Sequence, residues 1–484
     1  MTSPDRVLVI DVGTSGLRAA VVTADSTVTH AHPRPLLPAS PAPGLVELDG
    51  AEMAAAVLEV ARAALEAGGP VAAVGIADQR ASTLVWDRAS GEPVARGLGW
   101  QDLRTVGTCL ELGAEGIRLA PNLSATKAQA ILDEVDPDRR RDLCVGTVDS
   151  WVAWTLSEGA LHVTDPTNAA LTGLQTSDAT DWDDAVLDRL RIDRASLPTV
   201  VDTVGVVGEA TALPGAPPIA GIVGDQQASL AGQGCFAPGQ AKATFGTGGM
   251  LDVVVGPERP GFASRGPAGG FPIVTWARAG EVTWGVEAAM LSAGTNVEWL
   301  RDDMGLISSA AESHDVASAC DDAEGVWFVP ALLGLGAPRW DYGARGTLLG
   351  LTRGSGRAQV VRAVLEGVAH RGADLLETAE ADGGCRIDAL RIDGGMSDNP
   401  TFVQALADAT GRRVEVSPER EATTLGAAYA AGLATGVWSG TDELASLWSP
   451  REVVEPVRQL DRERWQEAVR RAERWIPELS GLDF

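Results

Sequence analysis

The chain has 484 residues, more than one hydrophobic core organises, so two domains with a cleft between them are expected. Apolar residues at 45% and charged residues at 22% suit a folded globular protein and exclude a disordered or membrane-embedded one. The formal net charge is −27 and no Lys/Arg run is long, which argues against nucleic acid and anionic membranes as partners.

The first six residues lack the basic region and apolar core of a signal peptide, and no apolar run is long enough to span a bilayer, so a cytoplasmic protein is expected. Strand, turn and strand follow at once: Val7 to Asp11, then Val12-Gly13-Thr14-Ser15-Gly16, then Leu17 to Val22. Asp49-Gly50 precedes an amphipathic helix carrying Met53, Val57, Val60 and Leu65, closed by Gly68-Gly69. The strand Val71 to Ala77 opens into Asp78-Gln79-Arg80-Ala81-Ser82 and resumes at Thr83 to Trp86. Gln79 and Arg80 either belong to a solvated loop or face a polar ligand.

Trp100, in Trp100-Gln101-Asp102-Leu103-Arg104, is either a core aromatic or a platform for the C–H face of a sugar. Ser124 reads as a helix cap and Lys127 as exposed, while Val145 to Thr155, with Trp151 and Trp154, reads as buried support for the cleft. Asp181 to Asp184 reads as a helix start. The cysteines, Cys109, Cys144, Cys235, Cys320 and Cys385, are scattered without metal-ligand or redox spacing and read as buried, reduced thiols.

Near the middle, the apolar run Ile219 to Val223 ends at Gly224-Asp225-Gln226-Gln227 before a small-residue helix. An Asp at that junction is either a helix cap or an acid pointing out of the sheet edge. Phe236-Ala237-Pro238-Gly239 reads as the hinge between halves, dividing the chain into residues 1–238 and 239–484. Ala241 to Val255 then repeats the first hairpin, with Gly246-Thr247-Gly248-Gly249 answering Gly13-Thr14-Ser15-Gly16. One such turn is an ordinary hairpin connection; two copies suggest an internal duplication and a pair of glycine-lined cradles whose backbone N–H groups reach phosphate oxygens.

Further on, Ala293-Gly294-Thr295-Asn296 starts a helix whose amino end is open to a ligand. Gly334 to Pro338 forms a tight loop, and Val360, Val361, Val364, Leu365 and Val368 mark the buried face of a long helix. The strand ending Ile392-Asp393-Gly394-Gly395 leads into Asn399-Pro400, where Asn399 caps a helix and Gly395 leaves a flat surface fit for a purine.

These parts suit phosphoryl transfer from ATP to an alcohol: hold the phosphates, neutralise them with Mg²⁺, place the hydroxyl and accept its proton. Asp225 is the candidate base and Asp11 the candidate for the metal side. The acidic surface would not draw ATP inward, so local groups must hold it.

Nearly the whole chain resembles the FGGY carbohydrate kinases, and within them the glycerol kinase branch. The motifs carrying the likeness are Asp11-Val12-Gly13-Thr14-Ser15 with Arg18, Gln79-Arg80, Trp100 to Arg104, Ser124-Ala125-Thr126-Lys127, Gly224-Asp225-Gln226-Gln227, Phe245-Gly246-Thr247-Gly248, Gly334 to Pro338 and Asp393-Gly394-Gly395. The resemblance implies an α/β fold of two actin-like, ribonuclease-H-like domains with ATP and Mg²⁺ in a central cleft. It implies phosphate contacts at Thr14, Ser15, Arg18 and Thr247, and nucleoside contacts at Gly294, Glu298, Gly395 and Asn399. Asp225 matches the general base, with Asp11 and Asp225 toward the metal; Arg80, Trp100 and Gln226 match polyol-contacting positions. A homo-oligomer, dimer or tetramer, is implied as well.

Glu298 stands where the branch often has glutamine, and three acceptor-side positions depart as well. Ala81 stands where a glutamate usually follows the arginine, Asn122 replaces a tyrosine, and Met250 replaces a phenylalanine. The pocket is expected to be larger and less aromatic, so the acceptor is a small polyol or sugar: glycerol, or a longer polyol or ketopentose such as erythritol, xylulose or ribulose. Residues 208–218 lack the Gly-rich, Arg-bearing loop through which some of these kinases bind a sugar bisphosphate, so no such regulation is expected. A non-catalytic, ATP-binding sugar sensor is the reading from another class; the retained Asp225, Arg80, Trp100 and Gln226 speak against it.

Overall fold

The computed structural model describes residues 5–179, 181–418 and 421–483. In the first half, β1 (Arg6–Val12), β2 (Gly16–Thr23) and β3 (Val28–Pro35) form an antiparallel meander, and β4 (Ala73–Asp78) pairs parallel with β1. Two later strands extend this sheet: β5 (Val204–Glu209) and β6 (Pro218–Gly224), the latter parallel with β4. The second half repeats the plan with β7 (Ala241–Phe245), β8 (Gly249–Gly256), β9 (Phe271–Arg278), β10 (Glu281–Met290), β11 (Ala389–Asp393), β12 (Arg413–Val416) and β13 (Glu452–Val454).

The strands run in the order β13-β12-β11-β7-β8-β10-β9-β5-β6-β4-β1-β2-β3. The segments β3-β2-β1-β4-β6 and β10-β8-β7-β11-β12 correspond: an antiparallel meander followed by two parallel strands. Among the described residues a single parallel bridge, between Val204 and Arg278, joins the two halves of the sheet.

Helices cover both faces. They include α1 (Gly50–Gly68), α2 (Ser124–Val135), α3 (Val148–Leu156), α4 (Asp225–Gly232), α5 (Thr295–Asp302), α6 (Arg357–Gly383), α7 (Pro400–Thr410) and α8 (Ala422–Thr435). Strand β1 is apolar on successive residues because both its sides are buried: Leu8 and Ile10 pack toward α1, Val7 and Val9 toward α8. Trp86 lies between Trp151 and Trp154, at ring-centre distances of 5.1 and 5.7 Å, so the segment holding these two indoles is buried support as expected.

Helices α4 and α8 cross at glycines. A methyl at Gly426 would overlap the carbonyl of Ala228, and one at Gly232 would overlap that of Ala422. The crossing is therefore closer than any larger side chain permits, and it fixes where α4 starts. That start is Asp225.

Several sequence expectations change. Lys127 is fully buried, not exposed. Ser124 is the first residue of α2 instead of its cap, and its hydroxyl donates to the carbonyl of Ala81 at 3.1 Å. Cys320 and Cys385 are half-buried, whereas the other three thiols are buried. Asp183, within the expected helix start, caps its helix by accepting from the N–H groups of Ala185 and Val186. No helix among the described residues is long and apolar enough to cross a membrane.

Candidate active site

The parallel strands β1, β4 and β6 end side by side. Val12 and Gly224 are both register partners of Asp78, so Asp11, the Gln79-Arg80 turn and Asp225 converge at one end of the sheet. In the second half β7 and β11 also run parallel, with Thr244 opposite Asp393, which brings Gly246-Thr247 beside Gly394-Gly395. Polar contacts draw these ends together: Ser229 Oγ and Gln233 Nε2 of the α4 region donate to Asp393 Oδ2 at 3.2 and 2.8 Å.

Asp225 is not a helix cap. Gly224 occupies that position, and the aspartate carboxylate accepts from the next N–H, that of Gln226, at 2.8 Å. It turns instead toward Arg80, whose Nε lies 3.4 Å from Asp225 Oδ1. Arg80 is buried, which rules out the solvated loop. Its Nη2 donates to Glu287 Oε2 at 2.7 Å and its Nη1 to Gln227 Oε1 at 3.3 Å. A side chain at Gly224 would meet Arg80 Cγ and Cδ at 2.8 Å, so glycine there is what lets the guanidinium pass. Burial raises the Asp225 carboxyl above its ordinary value, while the Arg80 charge opposes the rise.

Asp11 is paired across the hairpin with Arg18, Oδ2 to Nε at 3.2 Å, and Arg18 also pairs with Glu421 just before α8. Burial pushes Asp11 up to about 6; Arg18 lowers it and the neighbouring Asp225 charge raises it. Thr14 is half-buried and Ser15 exposed in the first turn, and Thr247 is exposed in the second. Trp100 is 37% exposed, so it is not a core aromatic, and its indole N–H donates to Thr14 Oγ1 at 3.2 Å. Lys127 holds that loop from beneath, donating to the carbonyls of Trp100 (3.3 Å) and Leu123 (3.2 Å).

Gly294 precedes α5, its N–H donating to the Gly246 carbonyl at 2.8 Å, and Glu298 is exposed one turn on. Gly395 is exposed with open space above it. Asn399 caps α7 as expected: its Oδ1 accepts from Phe402 N at 3.1 Å and its Nδ2 donates to Ser313 Oγ at 2.8 Å. Asn122 is exposed in the turn before α2, Met250 is half-buried on β8, and Ala81 is buried with φ +63°.

Glu287, Lys242 and Asp252, assigned no role from the sequence, are buried, as is Gln227 of the Gly224-Asp225-Gln226-Gln227 motif. The signal was there: each of the three ionisable residues interrupts an apolar strand, and a charge in such a place needs a buried partner. Lys242 Nζ lies 2.8 Å from Asp252 Oδ2.

The description of the FGGY family of carbohydrate kinases fits residues 6–232 as its N-terminal domain and 241–435 as its C-terminal domain. The chain belongs to this family. It is thus an ATP-dependent kinase that phosphorylates a hydroxyl group. Glycerol kinase of Aromatoleum aromaticum is 43% identical, over 97% of this chain and 99% of that one; glycerol kinase 2 of Thermotoga maritima is 40% identical over 97% and 99%. Among solved structures, Plasmodium falciparum glycerol kinase with ADP superposes with a TM-score of 0.90 at 26% identity, each chain covered to 99%. A Brucella ovis xylulose kinase reaches 0.87 at 23% identity, over 99% of this chain and 100% of that one, a likeness of fold. The pair of matching half-sheets is therefore the scaffold of a carbohydrate kinase.

Proposed function

We propose that this kinase transfers the terminal phosphoryl group of ATP to a small polyol, glycerol or a polyol one or two carbons longer, with Asp225 as the general base. The observation that carries the reading is the Asp225–Arg80–Glu287 cluster, a part-exposed carboxylate held by a buried guanidinium at the strand ends. Asp225 would take the proton as the alcohol oxygen attacks. Arg80 orients that carboxylate, and Trp100 offers its apolar face to the carbon chain.

Thr14, Ser15, Arg18 and Thr247 would hold the phosphates, and Gly294, Glu298, Gly395 and Asn399 would border the nucleoside. Asp11 and Asp225 would face a shared cation: the Asp225 charge opposes ionisation of Asp11, and a cation between them would relieve it. Among the described residues no group of three or more His, Cys, Asp or Glu could enclose a metal. Magnesium, when bound, supplies charge neutralisation for the phosphates. The division at residues 238 and 239 would serve as the hinge, and the single bridge between half-sheets supports that assignment.

At Ala81 no carboxylate is available to a second hydroxyl, and Asn122 stands exposed where an aromatic wall would close the pocket. Room for a longer chain follows. Comparing kcat/KM for glycerol, erythritol, the pentitols and the ketopentoses tests this: erythritol or a pentitol should match or exceed glycerol. Efficient turnover of glycerol alone would remove the longer-chain half of the proposal, and preference for a ketopentose would replace it.

A further inference from the structure

Behind Gln226 lies a buried ion pair that the steps above leave unused. Lys242 of β7 and Asp252 of β8 are cross-strand partners, both side chains fully buried, with Nζ and Oδ2 2.8 Å apart. Neither oxygen of Asp252 accepts a hydrogen bond from any described group, so its contact with Lys242 is an ion pair alone. The same ammonium donates to Gln226 Oε1 and, at 3.2 Å, to Thr244 Oγ1.

An ammonium has three donors and no acceptor, and two of those donors go to Gln226 and Thr244. Only the amide oxygen of Gln226 can face it. The orientation of a glutamine amide is ordinarily open to a flip, but here the chemistry of the neighbour leaves one choice. The Nε2 hydrogens are then directed away from Lys242, and they meet no hydrogen-bond partner among the described residues. Gln226 is half-buried and adjoins Asp225 in the chain.

We infer that Lys242, neutralised by Asp252, is a positioning residue that makes Gln226 a hydrogen-bond donor to the acceptor alcohol. The inference rests on the reading of Gln226 as a polyol contact. It gives the site a polarity: Gln226 donates to an oxygen lone pair of the substrate, while Asp225 accepts a hydroxyl proton. A substrate hydroxyl beside the reacting one can accept from Gln226 and still donate its own proton elsewhere. An acceptor with an ammonium at that place has no lone pair to offer and is rejected.

A double-mutant cycle on the full chain tests it. Replacing the pair together, Lys242→Met with Asp252→Leu, removes both charges and leaves no lone buried ion. Gln226→Ala removes the amide. If Lys242 acts through Gln226, each change raises the acceptor KM by about tenfold, the scale of one lost hydrogen bond. The combined variant is then no worse than Gln226→Ala alone, and the KM for ATP moves less than twofold.

Effects that multiply in the combined variant would overturn the inference, as would a paired variant with normal acceptor KM beside an impaired Gln226→Ala. A normal KM in Gln226→Ala would instead overturn the polyol reading of Gln226, and the inference with it. Gln226→Glu decides the matter even if the paired variant fails to fold. It keeps the shape and satisfies Lys242 but cannot donate, so it should lose acceptor affinity as Gln226→Ala does; retained affinity contradicts the donor role.

Discussion

Arg80 is the residue on which the acceptor end of the site turns. Buried beside Glu287, Asp225 and Gln227, it balances two carboxylates that would otherwise repel. Arg80→Met should cost about 3 kcal/mol of stability, because it leaves Glu287 as an uncompensated buried charge. A loss under about 1 kcal/mol in urea denaturation would contradict that. Lys127 gives a pH test. Burial pushes it from its ordinary 10.5 down to about 7, so between those values the folded chain binds fewer protons than the unfolded one. Its contribution is present above pH 10.5 and lost as pH falls through 7. The stability of the native chain relative to Lys127→Met should therefore rise from pH 7 to 10; a flat or falling difference in denaturation midpoints would show the assignment to be wrong. Sequence alone named Arg80 and Asp225 as candidates because motif and turn chemistry are local. It misplaced Lys127 because burial of a lysine is decided by the carbonyls of Trp100 and Leu123, of which only Leu123 is a near neighbour in sequence.

Among the elements, α4 matters most, since its first residue is Asp225 and it presses against α8 with Ala228 at Gly426 and with Gly232 at Ala422. Gly426→Val should destabilise by about 1–3 kcal/mol through overpacking against the Ala228 backbone, and should lower kcat by displacing α4. Unchanged thermal unfolding and kcat would show that the crossing has slack. The two hairpins with their glycine turns were legible in the sequence because each repeats the same alternation of apolar strand and Gly/Thr turn. The helix crossing was not. Residues 422–435 form a helix of small residues, and nothing local says that it packs on β1, β4 and β6, far away in the chain.

At the scale of the molecule, two half-sheets of matching topology share one bridge, so a hinge motion closing the cleft meets little resistance from the sheet itself. Adding a non-hydrolysable ATP analogue with the preferred polyol should reduce the radius of gyration in small-angle scattering; an unchanged profile would argue for a rigid cleft. The duplication was readable from its two turns, but the meeting of both halves at Lys242, Gln226, Arg80 and Glu287 exists only once the chain is folded. The most direct test of the account is acceptor-dependent ADP release from Mg·ATP, measured for the native chain and for Asp225→Asn. A small polyol should drive release in the native chain, and the variant should lose about 10²- to 10⁴-fold in kcat while still binding ATP. Equal kcat in the two proteins, or release that no polyol stimulates, would contradict it.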